Sequence, residues 1–278
     1  MKVMRSWKNL FSLKFICIAV LTLAFLSPVT AQSVPAGLEF EINGNSVTIT
    51  GYTGAARTLV IPDRIQGLPV TEIQYGAFAL TKLTHVTMPP SITCIGEGAF
   101  FGTPLTSVTI PASVIYIGHE AFQDTPSLIS IIVDNHNSAY ADIGGVLFDK
   151  GIQTLIQYPA RRNDSIYVIP PSVIHIGDLA FSEVTLRSVM IPPSVTHIGE
   201  CAFDSSGLIS VTIPPSVTFI GRRAFADSNL NSVTIPSSVA YIGDGAFYDT
   251  PLTSVTLSRQ TTVEEDAFPP NVRITYSD

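Results

Sequence analysis

A pattern of apolar and polar positions repeats along most of the chain with a step of about 22 residues. The unit reads Leu-x-x-Val-x-Ile-Pro-x-Ser-Val-x-x-Ile-Gly-x-x-Ala-Phe, and residues 252–257 show its first part clearly. Apolar residues two positions apart place their side chains on one side of a strand, while the Ser and Thr between them face the other side. The Ala-Phe pairs of the units end at Phe78, Phe100, Phe122, Phe181, Phe203, Phe225, Phe247 and Phe268.

The remaining positions of the unit also have structural explanations. The proline after the strand lacks an N–H group and therefore ends the hydrogen-bond ladder. The glycine of each Ile-Gly pair suits a sharp corner, and we expect it to adopt a positive φ. A short helical turn is then expected to carry the Ala-Phe pair into the core. These glycines are Gly96, Gly118, Gly177, Gly199, Gly221 and Gly243.

One such unit cannot bury its own apolar edge, so neighbouring units must stack. Stacking would align equivalent strands in a parallel sheet, with coils about 4.8 Å apart. The pattern therefore predicts a repeat solenoid of about 22-residue coils, with a parallel β-sheet and short helical turns.

The unit Ile-Pro-x-Ser-Val-x-x-Ile-Gly-x-x-Ala-Phe resembles the BspA-like leucine-rich repeats of bacterial and some protozoal surface proteins. The resemblance extends over about residues 38–268. It implies a solenoid of the leucine-rich-repeat type. Characterised members are reported as adhesins that bind host extracellular proteins, so the resemblance also implies a role in recognition.

The repeat has an irregular start, one interruption and an irregular end. Residues 32–60 are predicted to form an N-terminal β cap, because two alternating segments flank Asn43-Gly44, a strong hairpin signal. Regular coils are expected over 61–131 and 169–268. Residues 132–168 form an insertion with a second hairpin across Lys150-Gly151, which is either a variant coil or a grafted binding element. Residues 269–278 are expected to supply a closing strand.

The first 31 residues carry the features of a secretory signal peptide. Four basic residues precede an apolar run over 15–26, and small residues then lead to Ala31, after which we expect cleavage. The run is shorter than the roughly 20 residues that a retained membrane anchor needs. Cleavage would remove 4 of the 15 basic residues and none of the 22 acidic ones, which leaves a formal net charge of −11.

This composition limits the classes of partner. Charged residues make up only 13% of the chain, and Lys and Arg are too few for a nucleic-acid surface. We expect an exported protein, secreted or held in the periplasm or at the cell surface, without a membrane span after cleavage. A monomer is favoured. Cys94 and Cys201 fall at different phases of distant coils and are expected to remain free thiols.

Stacking turns each position of the unit into a column, and two columns are candidate binding surfaces. The first lies on the outward side of the main strands, which we expect to be the concave face that solenoids commonly use for binding. We call it the hydroxyl column, although Met190 interrupts it. An alternative is that Ser and Thr are merely soluble strand residues. Its proposed ligand-binding members are His85, Thr87, Ser107, Thr109, Ser188, Ser210, Thr212, Ser232, Thr234, Ser254 and Thr256.

The second column lies just before each Ile-Gly pair and begins at Cys94. Its aromatic rings could contact a sugar or a partner, or they could stack on one another for stability. Two neighbouring histidines without a third ligand make a poor metal site. We call this column the aromatic ladder, with members Tyr116, His175, His197, Phe219 and Tyr241.

No catalytic motif is found in the sequence, and no cofactor or metal is expected. The sequence favours a non-enzymatic module that recognises an extracellular protein or glycan through the hydroxyl column. The alternative from a different class is a structural, envelope-organising scaffold without a discrete ligand, and a β-solenoid enzyme comes third.

Overall fold

The computed structural model describes residues 33–277. The predicted signal peptide therefore lies outside the described residues. Residues from Gln32 onward form one compact unit, and every regular element in its described part is a β-strand. The strands are β1 (Leu38–Asn43), β2 (Ser46–Tyr52), β3 (Thr58–Val60), β4 (Arg64–Ile65), β5 (Leu68–Ile73), β6 (His85–Thr87), β7 (Cys94–Ile95), β8 (Ser107–Ile110), β9 (Tyr116–Ile117), β10 (Ser130–Val133), β11 (Tyr140–Ile143), β12 (Val146–Asp149), β13 (Thr154–Gln157), β14 (Ile166–Val168), β15 (His175–Ile176), β16 (Ser188–Met190), β17 (His197–Ile198), β18 (Ser210–Thr212), β19 (Phe219–Ile220), β20 (Ser232–Thr234), β21 (Tyr241–Ile242), β22 (Ser254–Ser258), β23 (Thr262–Val263) and β24 (Arg273–Ser277).

Each coil contributes a strand to two separate sides of the solenoid, which confirms the predicted parallel stacking. One side carries the hydroxyl column and is called the hydroxyl side. On it, β14, β16, β18 and β20 form one parallel sheet, and β3 with β6, β8 with β10, and β22 with β24 form parallel pairs. On the opposite side, which carries the aromatic ladder and is called the ladder side, β5, β7 and β9 pair in parallel, as do β13, β15, β17, β19, β21 and β23. The sequence step of 22 residues is therefore one complete coil.

The predicted N-terminal hairpin is present and joins the ladder side. β1 and β2 pair antiparallel around Asn43-Gly44, and β2 then pairs in parallel with β5. Val47 and Ile49 of β2 are fully buried. The hairpin thus covers the first coil and continues its sheet. At the other end, β24 pairs in parallel with β22, as the predicted closing strand requires.

The Ala-Phe pairs lie in hydrogen-bonded turns, so the prediction of short helical turns was wrong. The Phe203 N–H donates to the Ala224 carbonyl of the next coil at 2.7 Å, whereas the Ala224 N–H donates to the Gly221 carbonyl at 3.3 Å. Alternate amides therefore bond to the neighbouring coil and to the residue three positions earlier. A left-handed residue, Arg223 with φ 51°, interrupts the helical dihedrals in this turn.

The glycines of the Ile-Gly pairs do not adopt a positive φ, which corrects a second prediction. Each is needed because the preceding coil passes too close for a side chain. A Cβ on Gly221 would lie 2.7 Å from the backbone nitrogen of Glu200, and one on Gly118 would lie 2.3 Å from that of Glu97. The left-handed position is instead two residues later, where Gly98 and Gly245 alternate with residues such as Leu179 and Cys201.

The buried phenylalanines form two stacks through the interior. Rings from Phe78 to Phe122 stack in the N-terminal coils, and rings from Tyr158 to Phe268 stack in the C-terminal coils. The hydrophobic core likewise divides into two clusters, with Val146 in one and Leu147 in the other. The break coincides with the insertion.

The insertion contains a three-stranded antiparallel meander, and the predicted hairpin across Lys150-Gly151 is confirmed as β12 and β13. The sequence analysis missed β11, which pairs with β12 around Gly144-Gly145. β13 continues into the ladder side by pairing in parallel with β15. The Tyr158 N–H donates to the Ala180 carbonyl at 2.8 Å, so Tyr158 occupies the place of a core phenylalanine.

Candidate functional site

The hydroxyl column runs along the solvent side of the strands on the hydroxyl side. In β18 and β20, Val211 and Val233 face inward while the Ser and Thr on either side are exposed. Parallel pairing puts Ser210 beside Ser232 and Thr212 beside Thr234. Ser188 continues the row in β16, where it pairs with Ser210. The structure thus brings these predicted site residues together on one surface.

The hydroxyls of this central part of the column differ from other hydroxyls in the repeat. The Ser after Pro-x in five of the coils donates to a carbonyl of the preceding coil, as Ser216 does to Val195 at 2.7 Å. Thr250 likewise donates to the Phe247 carbonyl within its own turn at 2.8 Å. Within residues 33–277, no protein group hydrogen-bonds the hydroxyls of Ser210, Thr212, Ser232 or Thr234. These hydroxyls are therefore free to bond to solvent or to a partner.

The ends of the hydroxyl column are less uniform. Both imidazole nitrogens of His85 face threonine hydroxyls, those of Thr84 at 3.0 Å and Thr106 at 3.3 Å. Near the C-terminal end, the Thr256 hydroxyl is 2.9 Å from that of Thr275. Other predicted members, Thr87, Ser107, Thr109 and Ser254, face solvent fully or partly.

Aliphatic side chains interrupt the column near the insertion. Val168 pairs with Met190, and Ile166 lies beside Ser188; all three apolar side chains are more than half exposed. A groove of about 320 Å³ runs from Met190 to Pro214 past Ser210 and Thr212. The sequence analysis recognised Met190 but missed Ile166 and Val168. The strand of residues 166–168 has the pattern apolar-Tyr-apolar, whereas the usual strand has the pattern polar-Val-polar. This difference could have identified Ile166 and Val168 as exposed apolar residues.

The aromatic ladder is a stack of four rings from His175 to Tyr241. His175 and His197 have ring centroids 5.0 Å apart, and Phe219 and Tyr241 are 5.1 Å apart and 8° from parallel. Phe219 and Tyr241 stack face to face and the histidine rings are tilted, but every ring contacts its neighbour, which favours the stabilising interpretation over a sugar platform. Tyr116 lies outside this stack because β13 separates β9 from β15, and Thr154 occupies the intervening position.

The histidine pair has no third metal-ligating side chain beside it among the residues that the structure describes. Partial burial and the neighbouring His175 lower the pKa of His197. The His197 Nδ1 atom is 2.8 Å from the Thr196 hydroxyl. In the part of the chain that the structure describes, no group of three His, Cys, Asp or Glu side chains is placed to hold a metal ion.

Ionisable side chains are arranged as pairs between neighbouring coils along the corner turns. Arg222 Nη1 is 2.8 Å from Glu200 Oε1, and Arg223 Nη2 is 3.0 Å from Asp204 Oδ1. Cys94 and Cys201 are half-buried free thiols whose pKa values are raised by burial. The two ion pairs join neighbouring coils to one another.

The repeat seen in the structure also defines the family. The sequence profile of the BspA type leucine rich repeat region matches residues 59–153 and 162–275, in 6 copies. The chain belongs to this family. In this BspA-type protein, the motif supplies the inward-facing valines of the hydroxyl side, the close-packed glycines and the stacked phenylalanines.

Solved structures show the same fold. A leucine-rich repeat protein from Eubacterium ventriosum is 21% identical with a TM-score of 0.66, over 87% of this chain and 82% of that one. The pneumococcal vaccine antigen PcpA is 18% identical with a TM-score of 0.54, over 88% and 93%. A leucine rich cell surface protein from Faecalibacterium prausnitzii is 20% identical with a TM-score of 0.51, over 88% and 94%. No curated protein is significantly similar to the BspA-type chain.

Among residues 33–277 there is no helix of the length and apolarity that a membrane crossing requires.

Proposed function

We propose that this BspA-type protein is a non-enzymatic recognition module that binds an extracellular protein or glycan through the hydroxyl column. The observation that carries the proposal is the row of exposed hydroxyls at Ser210, Thr212, Ser232 and Thr234 without protein partners. Hydroxyls can donate and accept hydrogen bonds without introducing charge. A row at the coil spacing can therefore bond to a peptide backbone or to sugar hydroxyls.

The aliphatic group beside the row supports a specific contact. Val168 and Met190 offer exposed apolar area, and the hydroxyls of Ser188 and Ser210 border it. Protein interfaces combine an apolar centre with a polar rim. We therefore expect the contact in the middle of the column, beside the groove.

An exported location completes the proposal. Its support is the signal-peptide pattern of residues 1–31 together with the cell-surface relative from Faecalibacterium prausnitzii. The competing role is an envelope-organising scaffold without a discrete ligand.

The test is binding of the protein from Gln32 onward to an array of extracellular-matrix proteins and glycans. The variant S210K/T212K/S232K/T234K is assayed in parallel, with circular dichroism to establish that it is folded. Saturable binding that the variant loses supports recognition through the column. Binding that survives in the folded variant contradicts this site. No binding combined with concentration-dependent size in sedimentation favours the scaffold.

A further inference from the structure

Within residues 33–277, the stacking of corner turns is interrupted once, between the turn of residues 118–124 and the turn of residues 177–183. In regular coils, six residues lead from the Ile of Ile-Gly to the core Phe. The insertion uses only four, Leu155 to Tyr158. Their equivalence follows from hydrogen bonds to the next coil, because the Gly177 N–H donates to the Leu155 carbonyl at 2.9 Å as Gly199 does to Ile176. Two turn residues are therefore missing from this layer.

The missing residues leave backbone groups without their usual partners. In the preceding coil, the Phe100 N–H donates to the Ala121 carbonyl at 2.9 Å, and the His119 carbonyl accepts from Gly98 at 2.9 Å. One coil later, Glu120 and Phe122 take the places of Gly98 and Phe100, and Asp178 takes the place of His119. Within residues 33–277, however, the N–H groups of Glu120 and Phe122 and the Asp178 carbonyl have no hydrogen-bond partner. One wall of the gap thus presents donors, and the opposite wall presents an acceptor.

Two side-chain contacts bridge the gap between the turns of residues 118–124 and 177–183. The Gln123 amide donates to the Ser182 hydroxyl at 3.0 Å, and His119 Nε2 is 3.3 Å from Asp178 Oδ2. The space between them is a cleft of about 190 Å³. Its floor includes the buried Leu147. This volume is below the range of about 300–1,000 Å³ for small-molecule pockets, and it suits a short length of polypeptide.

The rim of the cleft is acidic. Among its lining residues, Glu120 and Asp178 are acidic, His119 is the titratable base, and Lys and Arg are lacking. A second acidic pair, Asp124 and Glu183, crosses the same gap just outside it. These charges favour a cationic side chain at the rim.

We propose that this cleft binds an extended segment of a partner protein, in which two residues complete the missing corner. Their backbone accepts hydrogen bonds from Glu120 and Phe122 and donates one to the Asp178 carbonyl, as an added strand does at a sheet edge. A Lys or Arg of the segment faces Glu120 and Asp178. This site is separate from the hydroxyl column, and its test does not depend on that column.

The test uses the ¹⁵N-labelled protein and the blocked tripeptides acetyl-Ala-Lys-Ala-amide and acetyl-Ala-Glu-Ala-amide as probes. The Lys peptide is expected to shift the amide resonances of Glu120 and Phe122 saturably and to slow their hydrogen exchange. The Glu peptide is expected to bind about threefold to fivefold more weakly, the upper part of the range for exposed charge interactions. The variant D178N should reduce that preference.

Two substitutions to Trp distinguish the cleft from other surfaces. I156W places a larger side chain in the cleft and should abolish the shifts, whereas F219W changes the aromatic ladder and should preserve them. The proposal is overturned if the Lys peptide gives no saturable shift at about 10 mM. It is also overturned if I156W, shown to be folded by its spectrum, responds like the wild type. Shifts of the same amides with protein concentration alone would identify a second copy as the occupant, against the proposal.

Discussion

The rings of Phe203 and Phe225 lie 5.0 Å apart between centroids and only 3° from parallel. Both side chains are fully buried, and the N–H of each donates to the alanine carbonyl of the next coil at 2.7 Å. Side-chain stacking and backbone hydrogen bonding therefore have the same coil-to-coil period. This coupling explains how coils that each have little regular structure form a continuous core.

The internal stack should contribute far more to stability than the aromatic ladder. F225A removes a fully buried ring from between two others and should reduce the free energy of unfolding by about 3–5 kcal/mol. F219A removes a half-buried ladder ring and should cost about 1 kcal/mol, near the value of an aromatic pair. Urea unfolding followed by circular dichroism measures both. Equal losses would contradict the assignment of the core to the internal stack.

Two kinds of glycine should respond differently to alanine. In G221A the new Cβ meets backbone atoms at 2.7 Å, so coils must move apart, at a cost of about 3 kcal/mol or more. In G245A the φ of 61° is retained with strain of about 1–2 kcal/mol, and the nearest contact is the flexible Arg223 side chain at 3.3 Å. Chemical denaturation of both variants tests whether G221A lowers the free energy of unfolding more than G245A does. A larger loss in G245A would contradict the close-approach explanation.

Substituting Glu183 should make the protein more stable in a pH-dependent way. Partial burial and the hydrogen-bonded Asp124 carboxylate raise the pKa of Glu183 above its ordinary value. Its contribution to stability is therefore favourable when it is protonated, and is lost as pH rises through the raised pKa. The free energy of unfolding of E183Q should equal that of the wild type near pH 4 and exceed it at pH 7. The difference at pH 7 should be only about 0.5 kcal/mol, because solvent screens exposed charges.

Thermal melts of wild type and E183Q between pH 4 and pH 8 measure this difference. D249N removes another exposed carboxylate of the corner turns and serves as the control. A difference between E183Q and wild type that stays constant across this range would refute the role of the Asp124–Glu183 pair.

Tyr158 should link the core to the insertion through its hydroxyl. The hydroxyl donates to Asp164 Oδ2 at 2.8 Å, and Arg162 Nε is 2.8 Å from the same oxygen. Y158F keeps the stacked ring but should cost about 1 kcal/mol at pH 7 through the lost hydrogen bond. Burial and Asp164 raise the pKa of Tyr158, so this advantage of the wild type should shrink as pH rises above about 10. A pH-independent difference in urea unfolding would argue against this linkage.

The sequence predicted the stacking of coils because each apolar position recurs at a fixed step. It did not predict the conformation of the glycines, because positive φ and close backbone approach both require the absence of a Cβ, and only the neighbouring coil distinguishes them. Gly221 illustrates the second case and Gly245 the first. Helical turns were predicted wrongly because alternate amides of the turn donate hydrogen bonds to the next coil, and the sequence of a single repeat unit does not reveal bonds between coils.

The candidate site was predictable where it follows the repeat and not where it departs from it. The outward position of Ser210 and Thr212 follows from strand alternation. Ile166 and Val168 join the same surface because the insertion returns to the hydroxyl side as β14, whose apolar-Tyr-apolar sequence departs from the polar-Val-polar pattern of the repeat strands. The core position of Tyr158 was not predicted, because the shortened turn removes the Ala-Phe signal that identifies the core position.

The central claim, recognition through the hydroxyl column, is tested most directly by comparing two variants of equal charge against any ligand that binds the wild type. S210K/T212K/S232K/T234K alters the column, whereas T93K/I115K/T218K/A240K adds the same charge at exposed positions on the ladder side. Titration of each folded protein should show at least a tenfold weaker affinity, about 1.4 kcal/mol, for the column variant alone. Equal loss in both variants, or no loss in either, would contradict the claim.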